Sequence, residues 1–252
     1  MAIPVGLQLW TVKQDTARDL PAALKAVADV GYQGVELWFA DWPPADELKG
    51  ILDECGLKAI GAHHVLPKLR DEFDAIAEYL KVVGCTDVAI AMVPEELRPD
   101  EDGWKRCAGE IAALGERCNA AGLRLSYHNH AYELEERVGE TSAHEFLFAS
   151  IPADLLKVQL DTCFVKAVGE DPAAYIRRYA GRLPLLHLKD FAPPPAPGGS
   201  TELGRGQVDF DSVLAAAPEA GVEWYIVEQT CSGSGLDSIR TSYGFLKSRG
   251  VV

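Results

Sequence analysis

The chain is short of several features that would place it quickly. Its six cysteines, Cys55, Cys85, Cys107, Cys118, Cys163 and Cys231, include no Cys-x-x-Cys pair. That spacing argues against a structural zinc site and leaves buried free thiols of a reducing cytosol as the expectation. Basic residues are outnumbered, 24 Lys and Arg against 38 Asp and Glu, for a net charge of −14. Such a chain repels phosphate backbones, so general nucleic-acid binding is not expected. No apolar run reaches the roughly 18 residues of a membrane span. The segment Met1–Trp10 has no basic region or cleavage site, so it reads as a first strand, not a secretion signal. A Gly-x-Ser-x-Gly elbow is missing. Gly204-Arg-Gly206 lacks the third glycine and the strand-before, helix-after setting of a dinucleotide loop.

What is present is a repeated phrase. A helix-like segment ends at a glycine and a short apolar strand follows: Gly31 before Gly34–Leu37, Gly56 before Leu57–Ala62, Gly84 before Asp87–Ala91, Gly122 before Leu123–Tyr127, Gly181 before Leu183–His187, Gly221 before Val222–Val227. Glycine after a helix adopts the left-handed conformation that stops it. Short continuous apolar runs suit a parallel sheet covered on both faces. With Ile3–Leu9 and Leu155–Leu160 the strands number eight. Helical patterns separate most of them, as over Asp71–Val83, Asp102–Ala121 and Ser234–Ser248. Within 252 residues this predicts one α/β domain over 1–252, a closed (β/α)8 TIM barrel, with a doubly wound open sheet as the alternative. The Pro- and Gly-rich run Asp190–Ser200 breaks the rhythm after strand seven and reads as a lid or a plain exposed loop.

Polar side chains close the apolar runs. Glu36 ends strand two, His63 and His64 strand three, His128 and His130 strand five, Asp161 strand six, His187 and Lys189 strand seven, and Glu228 strand eight. In a parallel barrel these ends meet at one mouth, where the chemistry of such folds resides. Asp161, His187 and Glu228, on three successive strands, form a mixed nitrogen and oxygen set suited to a divalent cation. A fourth ligand is expected from His128, His130 or Glu133. One of His63 and His64 is expected at substrate. Glu36 is expected to orient a histidine or a substrate hydroxyl, and Lys189 to stabilise an oxyanion or carry a proton. Trp10, Trp38, Phe39, Trp42 and Phe164 also follow strand ends and suit the C–H face of a sugar or the packing under loops. Thr230–Gly235 precedes a helix and is a weak phosphate cradle, opposed by Asp237. Asp209 is expected to cap a helix.

The stretches Gly6–Thr11, Gly34–Leu37, Gly61–His63, Tyr127–Glu133, Leu160–Thr162, His187–Asp190, Gly204–Phe210 and Val227–Glu228, in this order, resemble the sugar phosphate isomerase/epimerase family of xylose isomerase-like barrels, which also includes the endonuclease IV group. The resemblance implies one divalent metal (Mn, Mg, Co or Zn) held by a Glu–Asp–His–Glu set. Asp161, His187 and Glu228 fill the last three places. Family members carry the first glutamate on strand five itself, where this chain has Tyr127-His-Asn-His130, so Glu133 is the expected ligand and His128 the next choice. Where some relatives have a histidine three after the aspartate, this chain has Phe164. The larger ligand set of the three-zinc endonucleases is missing.

The implied activity is isomerisation or epimerisation of a keto-sugar, sugar phosphate or inosose through a metal-stabilised enediolate. Glu228 and Glu133 would move protons, His128 and Lys189 would assist, and His63, His130, Glu36 and Trp10 would bind substrate. A lyase or dehydratase of the same superfamily is the alternative, and a non-catalytic sugar-binding barrel lacking its first ligand is a second. Expected partners are a small sugar or cyclitol and, at most, further copies of the chain, in the cytoplasm.

Overall fold

A computed structural model describes residues 2–194, 196–230 and 233–252. Eight strands close into one parallel barrel: β1 Val5–Gln8, β2 Gly34–Leu37, β3 Lys58–Val65, β4 Asp87–Met92, β5 Arg124–His128, β6 Lys157–Asp161, β7 Leu185–Leu188 and β8 Trp224–Val227. Each pairs with its sequence neighbours, and β8 returns to β1. The closed barrel, not the open sheet, is therefore the fold.

The glycine stops act as the sequence suggests, with Gly56, Gly84 and Gly221 in the left-handed region at helix ends. Asp209 caps the helix Phe210–Ala220 through the amide of Ser212. The helix expected over Asp71–Val83 runs over Phe73–Val83, and a further short helix, Leu66–Asp71, precedes it across Glu72. The run after β7 forms a small ribbon, with Asp190–Phe191 antiparallel to Ser200–Thr201, and Pro195 lies outside the described residues. Cys85, Cys107, Cys118 and Cys163 are buried free thiols and Cys55 is a half-buried one; Cys231 lies outside the described residues.

The main apolar core lies between the sheet and the helices. Inside the barrel the side chains are layered. Ile60, Leu185 and Ile226 form an apolar floor, with Trp224 against it. A Cβ on Gly6 or Gly34 would lie 2.2 and 2.6 Å from Ile60, so glycine makes room for this floor. Above it the register sets Gln8 beside Glu36, Glu36 beside Gly61, His128 beside Gln159 and Asp161 beside His187. A polar layer thus sits on an apolar plug, facing the C-terminal mouth. Among the described residues no helix is long and apolar enough to cross a membrane.

Candidate metal centre

Strands β5 to β8 deliver one side chain each to the mouth. His128, Asp161, His187 and Glu228 are all buried, and each offers a ligand atom within 4.8 Å of the others. Asp161 ends β6 and caps the next helix: Oδ1 accepts from the amides of Cys163 (2.8 Å) and Phe164 (3.4 Å). Its Oδ2 is buried with no hydrogen-bond partner among the described residues. Nε2 of His128 lies 3.8 Å from that oxygen, and Nδ1 of His128 is also buried without a partner. Buried polar atoms are nearly always satisfied, so the partnerless Oδ2 of Asp161, within a group whose ligand atoms all lie within 4.8 Å of one another, marks a place for a cation. The donor set fits a divalent metal.

Beneath the cluster Glu36 is fully buried. Its Oε2 meets Nε2 of His187 (2.8 Å) and accepts from Nε2 of Gln8 (2.7 Å), while Oε1 accepts from Nε2 of Gln159 (2.5 Å). Nε2 of His63 lies 3.0 Å from Oε2 and 2.7 Å from Oε1 of Gln159. Burial pushes the Glu36 carboxyl up, but His63 and His187 outweigh it and hold the group well below its usual range. Glu36 does not line the cavity, so of its two expected contacts, a histidine or a substrate hydroxyl, the structure places it against histidines. It lies against the rings of His63 and His187, the place that outer carboxylates take beside metal-bound imidazoles. With Nε2–H of His187 held by Glu36, Nδ1 faces Oε2 of Glu228 at 2.9 Å. Burial disfavours the imidazolium, yet Glu36 and Glu228 raise its pKa to about 10.

Lys189 is buried beside the cluster. Its Nζ donates to Oε1 of Glu228 (2.8 Å), lies 3.7 Å from Oδ2 of Asp161, and stands 4.7 Å from the centre of the Phe164 ring. Burial pushes Asp161 up to about 6, and the Lys189 ammonium opposes it. Burial pushes Glu228 up too, but Lys189 and His187 prevail, so the carboxylate stays ionised.

Glu133 is placed elsewhere. Its Oε1 accepts from the Tyr127 hydroxyl (2.9 Å) and its Oε2 from the His130 amide (2.7 Å), and it is fully buried outside the cluster. Burial raises its pKa to about 7. The structure therefore sets Glu133, the expected fourth donor and acid/base, apart from the cluster and from the cavity lining. The reason is position: His128 is the last residue of β5, whereas Glu133 lies in the one-turn helix Tyr132–Glu135. Its carboxylate ties that turn and aims His130.

A cavity of about 350 Å³ opens over the cluster. His63, His128, His130, Lys189 and Glu228 face it, with Trp10, Trp38, Phe39, Met92 and Phe164 as apolar walls and Gly198 on the ribbon side. Burial, then Lys189, lowers His130 to about 3, so its imidazole is neutral. His64 points away into a separate pocket with Lys68, Trp42 and Tyr79. Of the pair on β3, His63 is the one at the site. Gln8, Gln159 and Asn129 were not anticipated. Asn129 accepts from the Asp161 amide (2.9 Å), and Gln8 accepts from the Trp10 amide (3.1 Å). Their signal was a polar amide inside or just beyond an apolar strand run.

The glycine loop also resolves. The amides of Gly204, Gly206 and Val208 converge on the buried carboxylate of Asp190 at 2.8–3.0 Å, an internal anion. The weak phosphate cradle after β8 lies partly outside the described residues. Ser234 Oγ already accepts from the Asp237 amide there.

Eight parallel strands with His, Asp, His and Glu at the C-terminal mouth define a (β/α)8-barrel protein with a candidate metal centre. The chain belongs to the xylose isomerase-like TIM barrel family, whose description matches residues 24–249. It is similar to the inosose dehydratase of Lacticaseibacillus casei, 28% identical over 144 residues. That match covers 51% of this chain and 47% of the relative, so it spans about half the relative's length. The inosose dehydratase of Geobacillus kaustophilus is 26% identical over 245 residues, covering 81% of this chain and 78% of that one. The crystal structure of a sugar phosphate isomerase/epimerase from Parabacteroides distasonis superposes with a TM-score of 0.87 at 22% identity, over 100% of this chain and 98% of that one. At that identity the likeness shows the fold.

Proposed function

We propose that this protein is a divalent-metal-dependent enzyme that removes a proton next to the carbonyl of a small, uncharged cyclic or open-chain polyol ketone. One observation carries the reading: His128, Asp161, His187 and Glu228 converge at the base of a cavity that Lys189 also faces. A divalent ion bound there would act as a Lewis acid on the substrate's carbonyl oxygen. The ionised Glu228 takes the proton from the adjacent carbon. His63 and His130 at the wall bind hydroxyls. Trp10, Trp38 and Phe164 pack on the C–H face of the ring. Lys189 is the one Lys or Arg among the described residues lining the cavity, and Glu228 and Asp161 already accompany it. This favours a substrate without a phosphate.

Two outcomes begin from the enolised substrate. Delivery of the proton to the former carbonyl carbon isomerises it, and return to the original carbon from the opposite face epimerises it. Loss of a β-hydroxyl dehydrates it: the C–O bond breaks, the C=C bond forms, and the departing oxygen takes a proton to leave as water. Lys189 supplies an acid distinct from the base, and the relatives named inosose dehydratase support this second outcome. The test is incubation of metal-loaded protein in D2O with inososes and ketohexoses, followed by NMR. Deuterium beside the carbonyl, or a dehydrated product, is expected. Neither appearing with any ketone under Zn, Co, Mn or Mg would refute the reading.

A further inference from the structure

Resting on that reading, we propose that the imidazole of His128, the second nitrogen donor in the set, tunes the centre to a borderline transition ion such as Zn2+, Co2+ or Fe2+ and away from Mg2+ and Mn2+.

The donor chemistry is on the page. Two imidazoles and two carboxylates form the group, and a third imidazole, His63, lies within the same 4.8 Å of His128 and His187. The His128 ring is held by its neighbours, with centroids 4.7 Å from His63, 5.1 Å from His130 and 4.6 Å from His187. A carboxylate cannot replace it from nearby: Glu133 is fixed by Tyr127 and the His130 amide. Lys189 further reduces the negative potential by pairing with Glu228 and Asp161. Mg2+ demands hard oxygen donors and retains its waters. Imidazole suits zinc, iron and copper, whereas carboxylate, carbonyl and water suit magnesium and manganese. A set of two nitrogens and two oxygens beside an ammonium group is thus poor for Mg2+ and good for ions that bind nitrogen.

Zinc outcompetes magnesium at most protein sites, so the discriminating quantity is how the ratio changes with the donor. The whole chain, stripped with chelator, is titrated with Zn2+, Co2+, Mn2+ and Mg2+ against a metal indicator. His128→Glu should narrow the Zn-to-Mn affinity ratio at least about tenfold and shift the visible absorption of bound Co2+. X-ray absorption of the zinc-loaded wild type should show at least two imidazoles, a measurement that does not depend on the variant folding. An unchanged ratio in a folded His128→Glu protein, or one imidazole on zinc, overturns the inference while leaving the metal-dependent reading in place. Failure of the wild type to bind any of the four ions overturns both.

Discussion

Replacing Glu36 by glutamine tests whether the layer beneath the cluster builds the site. The carboxylate faces N–H groups on every side: Gln8, His187 and His63 at one oxygen and Gln159 at the other. A glutamine must set its own NH2 against one of these groups. Turned one way it faces Gln159, whose oxygen is engaged with His63 at 2.7 Å. Turned the other way it faces Gln8 and His187. Leaving one buried donor unpaired costs about 1–3 kcal/mol, and charge-assisted bonds are lost as well. Removing a buried charge offsets part of this. We expect a net destabilisation of about 1–3 kcal/mol in urea melts and metal affinity about 10–100-fold weaker, the scale seen when an outer partner of a metal-bound histidine is removed. The shape is kept, so the barrel should remain folded. Metal affinity within about twofold of wild type would mean that Glu36 does not position His187, and this account of the polar layer would be wrong.

Further outcomes follow from the same geometry. Glu228→Gln should lower turnover of the metal-loaded enzyme at least about 100-fold; near-wild-type turnover would remove Glu228 as the base. A Cβ at position 61 would lie 2.6 Å from Oε1 of Glu36. Gly61→Ala should therefore cost about 1–3 kcal/mol and weaken metal binding, and an unchanged melting curve would count against the packing described. His144 is buried among Phe148, Tyr175 and Tyr179, and burial lowers its pKa from 6.5 to about 3. Folding thus favours its neutral form, so this contribution is complete above pH 6.5 and is lost as pH falls towards 3. At about pH 5 the loss reaches roughly 2 kcal/mol, at ~1.4 kcal/mol per unit. In a folded His144→Phe protein, urea stability should fall less between neutral pH and pH 5 than in wild type; a parallel fall would refute this role.

The barrel was legible because its repeat is physical: glycine stops the helix, an apolar run forms the strand, and a polar residue ends it. Asp161 and His187 were legible as neighbours for the same reason, since each closes a strand core and the register pairs them. Glu133 misled because a carboxylate was preferred over a position. Five residues beyond the end of β5 the chain has already turned into a short helix, and the buried phenol of Tyr127 claims the carboxylate. Glu36 left two positions open. A strand-end glutamate can face the mouth or sit one layer below it, and only the register with Gln8 and Gly61 decides. Gln8 and Gln159 became meaningful through the closed barrel, which brings strands one, two and six together around one carboxylate.

The central claim is that four side chains from β5 to β8 make one metal centre. Crystals soaked in Zn2+ or Co2+ and measured at the metal absorption edge test it directly. The account predicts a strong anomalous peak at the barrel mouth, about 2.0–2.3 Å from donor atoms of His128, Asp161, His187 and Glu228, with Glu133 still on Tyr127. A mouth without a peak, or a peak ligated by Glu133 with His128 turned away, would contradict it.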